Sequence, residues 1–200
     1  MKQLSKILLA LLLLALPVGM SAQTIDYLRP PKRTVTKPSN NKKKKHTMTA
    51  EEMYTKAYDY SEAKDYVHAV EWFKKAADKG HADAQCGLGY CYDKGQGVQQ
   101  DYSLAVYWYR KAAEQGNAIA QSNLGYCYYN GWGVQQDYSL AVYWYWKGAD
   151  QGNSYAQNNL GTCYYMGWGV AKDVPTARYW WQTAADQGNE VAKRNLQNFH

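Results

Sequence analysis

Gly80-His81-Ala82-Asp83-Ala84-Gln85-Cys86-Gly87-Leu88-Gly89-Tyr90-Cys91 opens a unit that runs to Gly116 and then begins again 36 residues on. Gly80, Gly116, Gly152 and Gly188 hold equivalent places, as do Ala84, Ala120, Ala156 and Ala192, and then Leu88, Leu124, Leu160 and Leu196. Three copies add Gly95-Gln96-Gly97-Val98, Gly131-Trp132-Gly133-Val134 and Gly167-Trp168-Gly169-Val170. Residues 98–117 and 134–153 agree at 17 of 20 positions, as a duplicate would. A fixed period of this size marks a stacked solenoid, in which each unit buries its apolar face against the next.

Each unit reads as two helices. In the first, Ala120, Leu124 and Cys127/Tyr128 recur at helical spacing. Asn117, Asn153 and Asn189 stand where an N-cap belongs, and Gly131 where a left-handed residue ends a helix. Gly89, Gly125 and Gly161 sit mid-helix, where glycine costs about 1 kcal/mol relative to alanine. A cost that recurs predicts a recurring gain, the close approach of a neighbouring helix backbone. The second helix starts after Asp101, Asp137 or Asp173 and carries the stripe Ala105, Trp108/Tyr109, Ala112. Trp72, Trp108, Trp144 and Trp180 occupy this stripe and are expected in the core. A shorter pair, Thr49–Ser61 and a helix ending near Lys79, precedes the full copies; Asn189–Phe199 is a polar lone helix that caps the far end. The expected fold is all-α: a solenoid of about four helix pairs plus a C-terminal capping helix, with units at about 47–79, 80–115, 116–151 and 152–187 and a cap at 188–200.

Charge divides the chain differently. Residues 1–22 carry Lys2 and Lys6, an apolar run Ile7–Leu16, then Pro17, Gly19 and Ser21-Ala22. This is the pattern of a secretory signal peptide cleaved after Ala22, so an exported protein is expected, periplasmic or at the cell surface. Residues 23–46 hold eight Lys/Arg against Asp26, with Pro30, Pro31 and Pro38, which reads as a disordered basic linker. Its run Lys42, Lys43, Lys44, Lys45 suits an anionic envelope surface; an exported protein would rarely meet nucleic acid. Residues 47–200 hold 13 Lys/Arg against 16 Asp/Glu, so the repeats are net acidic although the whole chain is +6.

Chemistry-bearing motifs are missing. His46, His68, His81 and His200 are scattered, and there is no His-Glu-x-x-His, Cys-x-x-Cys or Gly-x-Ser-x-Gly. The reading is non-enzymatic, without metal or cofactor. Cys91, Cys127 and Cys163 are one period apart, and helices stack 8–10 Å apart, too far for a disulfide. Four free thiols are expected, three of them packing as small hydrophobes.

The set Ala120-Gln121, Leu124-Gly125, Tyr128, Gly131, Gly133-Val134, Asp137, Ala141, Trp144-Tyr145, Lys147 resembles the Sel1-like repeat, a relative of the tetratricopeptide repeat. Residues 80–199 carry the resemblance closely, and 49–79 resemble the shorter tetratricopeptide form through Ala57, Tyr60, Ala69, Phe73 and Ala76. Departures are Gly148 for alanine, Lys56 for an apolar residue, and Thr162 for the tyrosine of Tyr90 and Tyr126. The resemblance implies a right-handed α–α superhelix acting as a scaffold or adaptor, often in envelope signalling or the assembly of membrane complexes. Disulfide-stapled secreted members exist, but this chain lacks their cysteine spacing.

The resemblance also implies where a partner binds. In tetratricopeptide relatives the first helix of each pair lines a concave groove, exposing positions five and two before the leucine and two and five after it. Carried over, these are Glu51, Tyr54, Tyr58 and Ser61; Asp83, Cys86, Tyr90 and Asp93; Ile119, Ser122, Tyr126 and Tyr129; and Tyr155, Asn158, Thr162 and Tyr165. The expected binding floor is Tyr54, Tyr58, Tyr90, Tyr126, Tyr129 and Tyr165, with Asn158 between them. The 20 Tyr and 8 Trp against 2 Phe favour an interface, because both rings pair a large apolar face with a polar handle. Trp132 and Trp168 stand where the first copy has Gln96, either as packing on the next repeat or as exposed contacts. The expected partner is a peptide or protein; the alternative is a glycan or peptidoglycan stacked on Tyr and Trp.

Overall fold

The structure, a computed structural model, describes residues 47–198; the signal-peptide and basic-linker segments, with Lys42–Lys45, lie outside the described residues. Its helices run in order as α1 (Ala50–Glu62), α2 (Tyr66–Asp78), α3 (Ala82–Lys94), α4 (Tyr102–Glu114), α5 (Ala118–Asn130), α6 (Tyr138–Asp150), α7 (Ser154–Met166), α8 (Val174–Asp186) and α9 (Glu190–Gln197). Among the described residues there is no strand. Odd and even helices alternate as the two arms of successive pairs, and α9 closes the stack.

The caps that the sequence predicts are in place. Asn117, Asn153 and Asn189 each accept an N–H of the first turn, and Asp101 and Asp137 do the same at 2.9 Å. Thr49 and Glu52 satisfy each other reciprocally at the start of α1.

Packing depends on one large ring per pair. Phe73, Tyr109, Tyr145 and Trp181 are each at most 2% exposed, flanked by buried alanines at 69/76, 105/112, 141 and 177/184. The mid-helix glycines make room for these rings. A Cβ on Gly125 would stand 2.7 Å from the Tyr145 ring and 3.1 Å from the Ala141 carbonyl oxygen. The close approach is therefore first to an aromatic ring and second to backbone.

Trp72, Trp108, Trp144 and Trp180 are a correction: all are half-buried, outside the core proper. Successive helical residues point about 100° apart. Once Tyr109 fills the pair's interior, Trp108 is left at its rim, edge-on to Tyr107 at 5.0 Å. The four cysteines are free and buried, Cys86 as fully as the others. Burial pushes the thiols of Cys91, Cys127 and Cys163 up to about 12, so they stay protonated and unreactive.

Buried glutamines join successive repeats. Gln121 Nε2 donates to the Ala113 carbonyl at 3.1 Å, while its Oε1 accepts from Gln151 Nε2 at 2.7 Å. Gln85 with Gln115, and Gln157 with Gln187, repeat the arrangement. One polar side chain thus ties α4, α5 and α6 together with both ends satisfied, which burial demands.

Candidate functional site: an aromatic edge at the repeat loops

The site starts with how α5 ends. Gly131 is left-handed at φ 73° and returns its N–H to the Cys127 carbonyl at 2.9 Å, where the Trp132 N–H also arrives at 3.0 Å. Gly133, at φ 69°, is pressed onto the start of α4. A Cβ there would overlap the Tyr102 carbonyl and reach 2.7 Å from the Ser103 nitrogen. Gly131 turns the chain out of α5, Gly133 pins the loop to the preceding repeat, and the residue between them lands on that repeat's surface. Gln136 Nε2 then holds the loop by donating to the Tyr129 carbonyl at 2.8 Å and the Tyr138 hydroxyl at 3.1 Å.

Trp132 consequently meets Tyr102 at 5.1 Å (32° between planes) and Tyr126 edge-on at 5.1 Å (87°). Trp168, placed the same way one repeat later, stacks on Tyr138 at 5.6 Å (15°) and meets Tyr129 at 5.5 Å. Tyr129 also touches Tyr138 at 5.4 Å. Tyr126 and Tyr129 are one turn apart on α5 and link the two clusters into a six-ring patch, every member half-buried. Trp132 and Trp168 therefore pack between repeats, but on the preceding one, and they keep part of their surface open. Burial, then the charge of Asp93, pushes the Tyr126 phenol up to about 12; burial, then Cys163, raises that of Tyr129. Both are neutral hydroxyls at neutral pH, able to donate a hydrogen bond.

The rest of the expected floor is corrected. Tyr54, Tyr58, Tyr90 and Asn158 are 2%, 5%, 9% and 6% exposed, so they line the interior rather than an open groove. The reason is the crowding of the first helices, which pack against second helices and also against one another. Tyr54 is stacked on His81 at 4.6 Å, at the N-cap of the next first helix. Asn158 Oδ1 accepts from Asn195 of α9 at 3.0 Å, and its carbonyl takes the Trp181 indole N–H at 3.1 Å. That indole also reaches the Thr162 hydroxyl at 3.4 Å, so the departure Thr162 pairs with Trp181, which stands where Tyr109 and Tyr145 stand in the earlier repeats. Tyr165 is half-buried against Trp181 at 5.6 Å, with Lys172 Nζ 5.0 Å from its ring.

Two sets of residues escaped the sequence reading. Tyr102 and Tyr138 complete the patch; each directly follows its capping aspartate, and that recurrence at Tyr66, Tyr102 and Tyr138 was the available signal. On the outer face of the second helices, Tyr107, Tyr143, Trp146 and Tyr179 are 48%, 48%, 50% and 63% exposed. Leu104, Tyr107 and Lys111 follow a spacing of three and four, a second stripe beside the core stripe. Among the described residues, no group of His, Cys, Asp and Glu could hold a metal ion. No helix there is long and apolar enough to cross a membrane.

The Sel1 repeat family model matches residues 49–81, 82–117, 118–153 and 154–189. Among solved structures, a protective antigen present in uropathogenic Escherichia coli strains, displaying an SLR fold, is 40% identical with a TM-score of 0.70, over 74% of this chain and 32% of that one. A Sel1 repeat protein from Oxalobacter formigenes is 36% identical with a TM-score of 0.68, over 72% of this chain and 59% of that one. Cysteine rich protein B of Helicobacter pylori is 27% identical over 60% of this chain and 91% of that one, with a TM-score of 0.49. The first two relatives are thus considerably longer than the stretch they share with this chain. Among curated proteins, none matches.

Proposed function

This chain belongs to the Sel1 repeat family, whose members generally act in protein–protein interaction, and from that premise we propose that it is a non-enzymatic scaffold holding a peptide or protein partner on its aromatic loop edge. The observation that carries this reading is the six-ring patch of Tyr102, Tyr126, Tyr129, Trp132, Tyr138 and Trp168 on a pinned backbone. Rigid Tyr and Trp rings give contact area at little entropic cost, and half-buried rings already stripped of some water are hot-spot material. Most of these rings meet edge-on or tilted rather than side by side in one plane, which suits side-chain pockets better than the flat floor a sugar stacks upon. The signal-peptide pattern of residues 1–22 supports a role in the cell envelope, where Lys42–Lys45 would hold the chain near an anionic surface.

The test is capture of envelope proteins by the intact chain and by a Trp132→Gln/Trp168→Gln variant, with glutamine chosen because Gln96 stands at the same place in the first copy. The expected result is loss of specifically bound protein from a variant that stays folded, its unfolding transition displaced by no more than the small worth of the two indoles' edge contacts. Undiminished protein capture by the variant would refute the proposed surface. Loss of binding to purified peptidoglycan fragments, with protein capture intact, would replace the peptide reading with the glycan one.

A further inference from the structure

The repeats flanking the middle one each place a lysine of their own at a tyrosine equivalent to Tyr126 or Tyr129 of this edge. In the first full repeat, Lys94 Nζ stands 5.9 Å from the Tyr90 ring centre and 2.9 Å from the Asp93 carboxylate. In the third, Lys172 Nζ stands 5.0 Å from the Tyr165 ring centre. One period after Lys94 the middle repeat has Asn130, and one period before Lys172 it has Gln136. Both amides turn to backbone instead, Asn130 to the Tyr126 carbonyl at 2.9 Å and Gln136 to the Tyr129 carbonyl at 2.8 Å. Among the described residues, the six-ring patch of the middle edge therefore has no lysine of its own over its rings; Arg110 is engaged beside it with the Tyr128 hydroxyl at 2.7 Å.

Its surroundings are acidic. Asp101 and Asp137 directly precede Tyr102 and Tyr138, while Asp93, which also acts on Tyr126, has its carboxylate paired with Lys94 at 2.9 Å. Over residues 47–200 acids outnumber bases by 16 to 13. Ring faces attract ammonium and guanidinium groups, and nearby carboxylates strengthen that preference. We infer that the middle edge is a socket for the Lys or Arg side chains of a basic partner segment, taking from the partner the cation that Lys94 and Lys172 supply in the flanking repeats. This rests on the scaffold reading and adds the partner's chemistry to it.

The test measures fluorescence anisotropy of labelled hexalysine, and of the same peptide with every Nε acetylated, against the full chain. Hexalysine should bind, and the acetylated peptide should bind about tenfold more weakly or worse. Asn130→Lys/Gln136→Lys, which gives the middle repeat its own lysines, should lower hexalysine affinity about tenfold. Gln99→Lys/Gln135→Lys adds the same charge at exposed loop positions off the rings and should retain most of the affinity. If the first double variant fails to fold, Trp132→Gln/Trp168→Gln takes its place, with the same loss expected. No hexalysine binding, equal binding of the acetylated peptide, or equal losses in the two lysine variants would each overturn the socket. Envelope-protein capture that needs Trp132 and Trp168 but ignores Asn130→Lys/Gln136→Lys would leave the scaffold standing and remove the socket alone.

Discussion

The loop Gly95-Gln96-Gly97 and the loop Gly131-Trp132-Gly133 have one backbone and two surfaces. Both begin with a left-handed glycine, at φ 65° and 73°, and both press a second left-handed glycine onto the carbonyl that starts the preceding second helix, Tyr66 in one case and Tyr102 in the other. The residue between the glycines differs. Gln96 has no ring to stack, whereas Trp132 joins Tyr102 and Tyr126. The position five residues after the leucine differs too: Asp93 in the first full repeat, Tyr129 in the middle one. The glycines therefore belong to the fold, and the tryptophan belongs to what the fold displays. A loop that closes equally well around glutamine does not need an indole for closure.

That separation is most exposed to failure in unfolding measurements. Gly133→Ala should cost about 3 kcal/mol or more, since the new Cβ would overlap a backbone carbonyl at a positive φ. Trp132→Gln, one residue away, should cost about 1 kcal/mol or less, the worth of its edge contacts. Urea unfolding of both variants makes the check. Equal losses would mean the indole is structural, and the contrast between the two loops would collapse.

The same split explains what could be read in the sequence. Period, helix pairs, caps and glycine stops were legible because each is a local choice, satisfied within a turn or a loop. Asn117, Asp137 and Gly131 do in the structure what their chemistry requires of them. Exposure was not legible, because it depends on how tightly neighbouring units close. Tyr90 and Tyr126 are equivalent in sequence, yet one is buried and the other half-open. Their neighbourhoods differ: Lys94 lies over the first, and Trp132 stands beside the second. Likewise Trp108 and Tyr109 are adjacent stripe residues, and only packing against Gly89 decides that the tyrosine goes inside.

A smaller effect sharpens the comparison at the following repeat, whose second helix starts differently. The Asp173 carboxyl is held below the usual carboxylate range by the Thr176 hydroxyl at 2.6 Å, and then by the Thr176 N–H at 3.2 Å. Its folded pKa lies below its unfolded one, so its contribution is complete above the ordinary value of 3.8 and is lost as pH falls through the folded value. Thr176→Leu copies Leu104 and Leu140 of the earlier helices and removes the stronger bond. The variant should therefore be slightly less stable than the intact chain near neutrality, the gap should close as pH falls through the folded value, and acid unfolding of the variant should begin at slightly higher pH. An identical acid transition would show that the hydroxyl is idle.

The central claim is that the loop edge, and neither the buried tyrosine ladder nor the outer aromatic face, meets the partner. Photo-crosslinking tests it most directly. A benzophenone amino acid is placed singly at Trp132, Trp168, Tyr107 and Tyr143 of the intact chain, in the presence of captured partner. Crosslinks from 132 and 168, with none from 107 and 143, are the predicted result. Crosslinks confined to 107 and 143 would move the interface to the outer face of the second helices and contradict it.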